Sequence, residues 1–475
     1  MNSKNLLLIM VDQMRFDCLG SLGMHPVRTP NLDRLTAAGL NCTNTYTTIP
    51  TCCPARQSFL MGDRAERIGA LWNYDITLPV PSLTPDTPTW TQSLKDAGYN
   101  TTYVGKWHVS PDYDPTSFGF DRYYGEDDYI ETLRKRECVN PYVGDWRGGS
   151  TDLPLEHSRT HVLAREAIRA IDEHCQSDAP WMVRLDFPEP HLPCVPSEPF
   201  SSMYDPAHIK PWATFLDPLN DKPFMQRRQL QNWNVEDLTW DYWAPVVASY
   251  FAIITQMDDA IGLVLDHLDA QGVTDQTIVV FTSDHGDLCG SRGMVDKHFN
   301  MYDDVVRVPL VLRAPGVIPE GSVSEELVAH TLDLPRTIMD LLDVPAAPTM
   351  TGVSFGHWFG STQKKPLFNP VPIRDAVVAT YHGAQFGLYC QRMIRTKEFK
   401  LVWNLTDLNE LYDMKDDPNE LINQYENSAY QREREQLGIR LHDLLLMDDD
   451  PILREPWLAH QLTGKHEAVT IKPTV

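Results

Sequence analysis

The nine residues Pro50–Ser58, PTCCPARQS, set two adjacent thiols ahead of a proline and an arginine. Four chemistries fit such a pair: buried small hydrophobes, a vicinal disulfide, half of a metal site, or a nucleophile with a neighbour. The nine cysteines (18, 42, 52, 53, 138, 175, 194, 289, 390) are odd in number and share no spacing. No CxxC pair accompanies them, which counts against structural zinc. Free thiols in a reducing compartment are the expectation, and the vicinal disulfide loses ground accordingly.

Two acidic residues close apolar runs and bring a second donor with them. Asp12 follows LLLIMV and precedes Gln13; Asp284 follows TIVVFTS and precedes His285, with Gly286 allowing a tight turn. Two carboxylates, an amide oxygen and an imidazole suit a hard or borderline divalent cation. Cationic residues recur in the same sort of place. GKWHV carries Lys106 and His108 at i and i+2, expected on one face of an extended segment. EPHLP holds His191 in a proline-stiffened turn, and VDKHFNMYDD carries Lys297 and His298 on a loop. Any one of these alone reads as a surface lysine or a packed histidine. Together, all following strand ends, they describe a pocket for a tetrahedral oxyanion.

Those residues need a scaffold that brings strand ends together. Strands are expected at Leu6–Val11, Thr101–Val104, Trp181–Phe187, Thr277–Ser283 and Val308–Arg313, interleaved with helices from Asn31, over Thr89–Ala97, His161–Cys175 and Ala248–Leu268. This alternation implies an α/β fold with a large, mainly parallel sheet sandwiched by helices, whose ligands lie beyond the carboxyl ends of the strands. The stretch 197–234 reads as an irregular excursion. Near residue 375 the texture changes to β-runs at Tyr389–Arg395 and Phe399–Asn404, then ELYDMKDDPNE and a charged helix over Tyr430–Leu446. The expected division is a catalytic α/β domain over 1–375 and a C-terminal α+β subdomain over 376–475.

The bulk numbers bound the partners. A net charge of −24 among 475 residues argues against nucleic-acid and anionic-membrane surfaces, although a few convergent cations can still bind an anion. The first apolar run is six residues, too short to span a bilayer, and no cleavage site follows it. A cytoplasmic protein is the expectation.

Taken in order, Asp12-Gln13, Cys52-Cys53-Pro54-Ala55-Arg56, Gly105-Lys106-Trp107-His108, His191-Leu192-Pro193 and Ser283-Asp284-His285-Gly286 resemble the formylglycine-dependent sulfatases of the alkaline phosphatase superfamily, relatives of arylsulfatases and phosphonate monoester hydrolases. The resemblance extends to KLVWN and ELYDMKDDPNE near the carboxyl end. It implies that Cys52, two before Pro54 and four before Arg56, is converted to formylglycine by a formylglycine-generating enzyme, while Cys53 only packs. The hydrated aldehyde would attack sulfur with one hydroxyl and expel sulfate through the other. The resemblance further implies one divalent metal, calcium first and manganese second, held by Asp12, Gln13, Asp284, His285 and the residue made from Cys52. It gives Arg56 the nucleophile and metal region, Lys106 and Lys297 the sulfate oxygens, His108 the collapse of the covalent intermediate, and His191 or Lys297 the leaving alcohol. Gln13 and His285 stand where many sulfatases carry Asp and Asn, a pattern shared with phosphonate and phosphodiester hydrolases. Lys297 lies one residue further from Tyr302 than in many relatives, so a bulged loop is expected, with His298 as a substitute cation. The expected substrate is a small sulfate ester, a sulfated sugar, read at a rim of Trp72, Asn73, Tyr74, His298, His382 and Gln385.

Overall fold

The strand Asn5–Asp12 (β1) is fully buried and sorts its side chains to two faces, and that sorting builds the molecule. The computed structural model describes residues 4–76, 78–138, 145–359, 369–454 and 456–463. The other strands are β2 (Leu40–Cys42), β3 (Thr45–Tyr46), β4 (Asn100–Gly105), β5 (Arg122–Tyr124), β6 (Trp181–Pro190), β7 (Thr277–Ser283), β8 (Leu310–Arg313), β9 (Ser322–Ser324), β10 (Val328–Ala329), β11 (Val377–Ala384), β12 (Gly387–Arg395), β13 (Phe399–Asn404) and β14 (Glu410–Asp413). The helices are α1 (Pro30–Ala37), α2 (Cys52–Met61), α3 (Trp90–Asp96), α4 (Glu126–Lys135), α5 (Arg159–His174), α6 (Phe224–Trp233), α7 (Trp240–Ala270), α8 (Asp303–Val306), α9 (His330–Leu341), α10 (Gln431–Met447) and α11 (Pro456–Thr463).

Eight strands form the main sheet in the order β5-β4-β6-β1-β7-β8-β2-β9. Leu7, Ile9 and Val11 of β1 face a core shared with α1, α5 and α7, whereas Leu6, Leu8 and Met10 face α2, α3 and α9. Each leucine so buried contributes roughly 1.5–3 kcal/mol, which fixes the strand in register. The sheet is mixed. β8, expected simply as a further strand, runs antiparallel to both β7 and β2. In the expected excursion at 197–234 the structure forms α6, whose N-cap is Pro223 and whose end is marked by Asn234 in the left-handed conformation. Helix α7 is long and apolar enough in composition to cross a membrane, yet 78% of its most apolar window is buried in the protein, as befits a core helix.

The C-terminal strands β11-β12-β13-β14 make an antiparallel meander covered on both sides. On one face Ile394, Leu401, Trp403 and Leu411 meet Leu437, Leu441 and Leu445, which recur every four residues along α10. On the other, Ala379, Tyr381, Met393 and Val402 pack on Phe299, Met301 and Val306. The second contact puts the small sheet directly behind the loop that carries Lys297.

Candidate active site

Parallel neighbours end on the same edge, so the register decides which residues meet. Asp12 pairs with Pro190 and Val11 with Ser283, while Gly105 pairs with Asp186. Asp12, Lys106, His191 and Asp284 thus emerge together at the carboxyl edge of β1, β4, β6 and β7. Gly105 has φ +106° there, and a Cβ would lie 1.9 Å from the Asp186 carbonyl oxygen, so glycine is required. Gly286 is required for a different reason: a Cβ would sit 2.0 Å from the Asp304 carbonyl oxygen.

Cys52 opens α2 and points into this edge. Cys52 and Arg56 stand one helical turn apart and share a face, whereas Cys53 is rotated away. Its thiol packs near Gln57 Nε2 at 3.1 Å and the Val109 carbonyl at 3.9 Å, and burial pushes its pKa well up. Cys52 behaves oppositely. Burial opposes ionisation, but Lys297, Lys106 and His285 outweigh it and hold this thiol well below the ordinary cysteine range. The two cysteines are therefore chemically distinct because of helix geometry.

Asp12, Cys52, Asp284 and His285 are all buried, and one donor atom from each lies within 4.8 Å of the others. His285 Nδ1 donates to the Gly286 carbonyl at 2.9 Å, since a carbonyl only accepts; this leaves Nε2 turned to Cys52 Sγ at 3.2 Å and to Asp12 and Asp284 at 3.7 Å each. A pinned imidazole facing two carboxylates fits a divalent cation. With the protein's own charges alone, burial lowers His285 but Asp284 pushes it up to about 9, the response of a site with negative charge to balance. Burial also raises Asp12, yet Lys106, His191 and Arg56 hold it low; Asp284, which is buried beside the charged Asp12, is raised.

Arg56 is completely buried and donates to Asp284 (2.9 Å), Asp186 (2.8 Å) and the Lys106 carbonyl (3.2 Å). Lys106 Nζ contacts Asp12 Oδ2. Lys297 Nζ donates to Gln13 Oε1 at 2.8 Å and to His191 Nε2 at 3.2 Å; His191 Nδ1 in turn donates to the Leu192 carbonyl at 2.7 Å. Gln13 is turned in the left-handed region (φ 71°); its N–H donates to Asp284 and its Nε2 to Asp287 at 2.9 Å. Its amide oxygen therefore serves Lys297 in this arrangement. His108 itself lies in the left-handed region (φ 48°), not in the extended alternation expected of Lys106 and His108. Burial lowers His108, but Asp75 and Cys52 outweigh it and raise its pKa. Among the described residues neither ring nitrogen has a hydrogen-bond partner, and the nearest carboxylate, Asp75, is 3.6 Å away. Asp296 and Phe299, on either side of Lys297 and His298, also have positive φ, so the loop is kinked there.

The expected rim divides. Tyr74 lines a cavity of about 610 Å³ that also includes Lys106, His108 and His191, and its ring meets His108 edge-on at 5.2 Å. Asn73 instead accepts from the Cys53 N–H at 2.9 Å, capping α2 from a distant loop. Trp72 donates to the Leu78 carbonyl, and Gln385 sits exposed at the turn between β11 and β12. His382 is 5% exposed beside Glu66, and His298 is held between Asp296 and Tyr381. Both are buried, His382 on β11 against Glu66 and His298 on the Lys297 loop against Asp296, so neither stands at an exposed rim. The sequence reading missed Asp186, which accepts from Arg56, Arg184 and Tyr103, and Asp287, which orients Gln13. An Arg184–Asp186 pair two apart inside an apolar strand was the available signal for the first.

A mixed sheet clad by helices, with a thiol, two carboxylates and an imidazole at its carboxyl edge, defines an alkaline phosphatase-like hydrolase. The fold overlays the phosphonate monoester hydrolase of Agrobacterium radiobacter with a TM-score of 0.79 at 24% identity, covering 94% of this chain and 96% of that one. It also overlays a protein solved in complex with its substrate D-glucosamine-2-N,6-O-disulfate (TM-score 0.77, 22% identity, 95% and 100% coverage). The family described as Sulfatase matches residues 4–344, and that described as N-sulphoglucosamine sulphohydrolase, C-terminal, matches 290–446. The chain belongs to the sulfatase family, and it is a sulfuric ester hydrolase. Its sequence is 29% identical over 478 residues to the uncharacterized sulfatase YidJ of Escherichia coli strain K12, covering 97% of this chain and 90% of that relative.

Proposed function

We propose that the enzyme hydrolyses a sulfate monoester of a sugar, using formylglycine made from Cys52 and one divalent metal, calcium before manganese. The observation that carries this reading is the position of Cys52 Sγ, 3.2 Å from His285 Nε2 and 3.7 Å from Asp12 at the amino end of α2. Asp12, Asp284 and His285 would hold the metal, with Gln13 joining through the second lone pair of its amide oxygen; the ion would supply charge stabilisation to a bound sulfate oxygen. Formylglycine would supply a hydrated aldehyde as nucleophile. Arg56 fixes the residue-52 region by tying Asp284 to Asp186. Lys106, held on Asp12, and Lys297, held on Gln13, both act on Cys52 and would neutralise the non-bridging oxygens. His191 Nδ1 is pinned, so its Nε2 shares the Lys297 proton on the side facing the cavity, where a leaving alkoxide would need it. His108, paired with Asp75 at 3.6 Å, is placed for the proton released when sulfate is expelled.

A phosphonate monoesterase is the second reading, favoured by the Gln13 and His285 pair and by the likeness in fold. Sulfate monoesters, phosphonate monoesters and phosphodiesters each carry one negative charge, so charge does not separate them. Matched kcat/KM values do: sulfate preference of at least about a hundredfold, near 2.7 kcal/mol, is expected, and a phosphonate or diester preference would reverse the assignment.

A further inference from the structure

The cavity beside Lys106 and His191 has a second end that the sulfate chemistry leaves unused. There Arg159 lies between two carboxylates, donating through Nε to Glu189 at 2.9 Å and through Nη1 to Glu126 at 3.3 Å. Glu189 is 7% exposed, lines the cavity, and its Oε2 has no hydrogen-bond partner among the described residues. A buried carboxylate oxygen left without a donor is costly, so the site is built to receive one. The cavity walls also carry Tyr123 and Tyr129 and the uncharged polar residues Thr151, Ser158, Ser197 and Gln256. Lys106, the other cation lining the cavity, is committed to Asp12. The far end therefore carries one negative charge in excess, in a molecule whose net charge is −24.

We propose that Glu126, Arg159 and Glu189 form the leaving-group subsite of the sulfatase, selecting a leaving group that presents a hydrogen-bond donor and bears no negative charge of its own. The donor would satisfy Glu189 Oε2, and Arg159 holds that carboxylate in place. A second sulfate or a carboxylate on the leaving group would face Glu126 and Glu189 and be rejected. This rests on the sulfate-ester reading above and narrows it to singly charged esters of polyols or amino alcohols.

The test uses the full-length, formylglycine-bearing enzyme and three aryl sulfates substituted at the meta position with hydroxymethyl, aminomethyl or carboxylate. The hydroxymethyl and aminomethyl arms separate the two donor sources. Both should exceed the carboxylate in kcat/KM by about tenfold. Glu126→Gln, at an exposed position that the fold tolerates, should narrow that ratio several-fold, and Glu189→Gln should narrow it further. Arg159→Gln should widen it. A purely structural role would lower all three rates together and leave the ratios fixed. Equal or better turnover of the carboxylate by the wild type, or ratios unmoved by Glu126→Gln, would overturn the proposal. If phosphonates are hydrolysed and none of the sulfates is, the sulfatase reading fails instead. The subsite is then judged by the same ratios read as calorimetric Kd values on Cys52→Ala.

Discussion

At the scale of single residues, the adjacent thiols differ because a helix turns about 100° per residue. Cys52 is aimed at Asp12 and His285, and Cys53 at Gln57 and Val109. The tryptic peptide Leu35–Arg56 should therefore show residue 52 as aldehyde or hydrate by mass, with Cys53 still a thiol. Cys52→Ala should abolish turnover, and Cys53→Ala should retain most of it. The peptide also holds Cys42, so three intact thiols in fully active enzyme would refute this. Metal dependence belongs to the same scale. Asp284→Ala removes a carboxylate from the donor set and also strips Arg56 Nε of its partner, so kcat should fall at least about a thousandfold. Chelation of the wild type should lower both activity and thermal stability, and calcium or manganese should restore them by mass action. An unchanged melting temperature in chelator would argue against a resident ion. Asp12, Lys106, His191 and Asp284 were legible because each stands at a strand end beside a recognisable partner, and Cys52 through its spacing to Pro54 and Arg56. Asp75, Asp186 and Asp287 were not, since a carboxylate that only orients another side chain leaves no spacing rule behind.

At the scale of elements, apolar periodicity disclosed the long elements, and local chemistry hid the short ones. β7 occurs as read, and α5 starts two residues earlier than expected. α2 was not anticipated, since Cys-Cys-Pro carries no helical pattern; Pro54 is tolerated there because it lies in the first turn. α9 was missed as well, and its first residue makes a pH prediction. His330 Nε2 donates to Thr282 Oγ1 at 2.9 Å, because that hydroxyl already donates to the Pro309 carbonyl. Its Nδ1 has no partner among the described residues, and its ring stacks on Phe59 at 5.5 Å. Burial, helped by Arg184, depresses its pKa from the ordinary 6.5 to about 3. The unfolded chain thus binds a proton that the folded chain refuses. The stability His330 lends is complete above pH 6.5 and declines as pH falls toward 3, with a loss of roughly 2 kcal/mol by pH 5. Melting temperatures measured from pH 7.5 to 5 should fall less steeply in His330→Gln than in the wild type. Parallel curves would remove His330 from the account.

At the scale of the whole molecule, the sequence divided the chain near residue 375 but could not say how the parts depend on each other, because the contacts that join them are far apart in sequence. The small sheet packs behind the Lys297 loop through Phe299 and Met301, and one buried ion cluster ties the two together. Lys400 on β13 is fully buried and donates to the Met301 carbonyl at 2.9 Å, to Asp303 at 2.6 Å and to Glu420 at 2.6 Å. Glu420 also accepts from the Asp303 N–H at 2.8 Å. Removing the lysine takes the closest cation from two buried carboxylates and leaves Asp303 with Arg307 at 3.6 Å, a change that costs about 3 kcal/mol. Lys400→Met should therefore lower the unfolding temperature of the entire chain rather than of a C-terminal piece. It should also lower kcat, since the loop that brings Lys297 to Gln13 and His191 loses its backing. Asp303→Asn combined with Lys400→Met should recover part of the stability by removing one of the stranded charges. Scanning calorimetry with parallel assays decides the matter. One shared transition that moves with kcat fits a single cooperative unit, whereas a separate early transition in the wild type, or full activity in Lys400→Met, would make the C-terminal sheet an independent module.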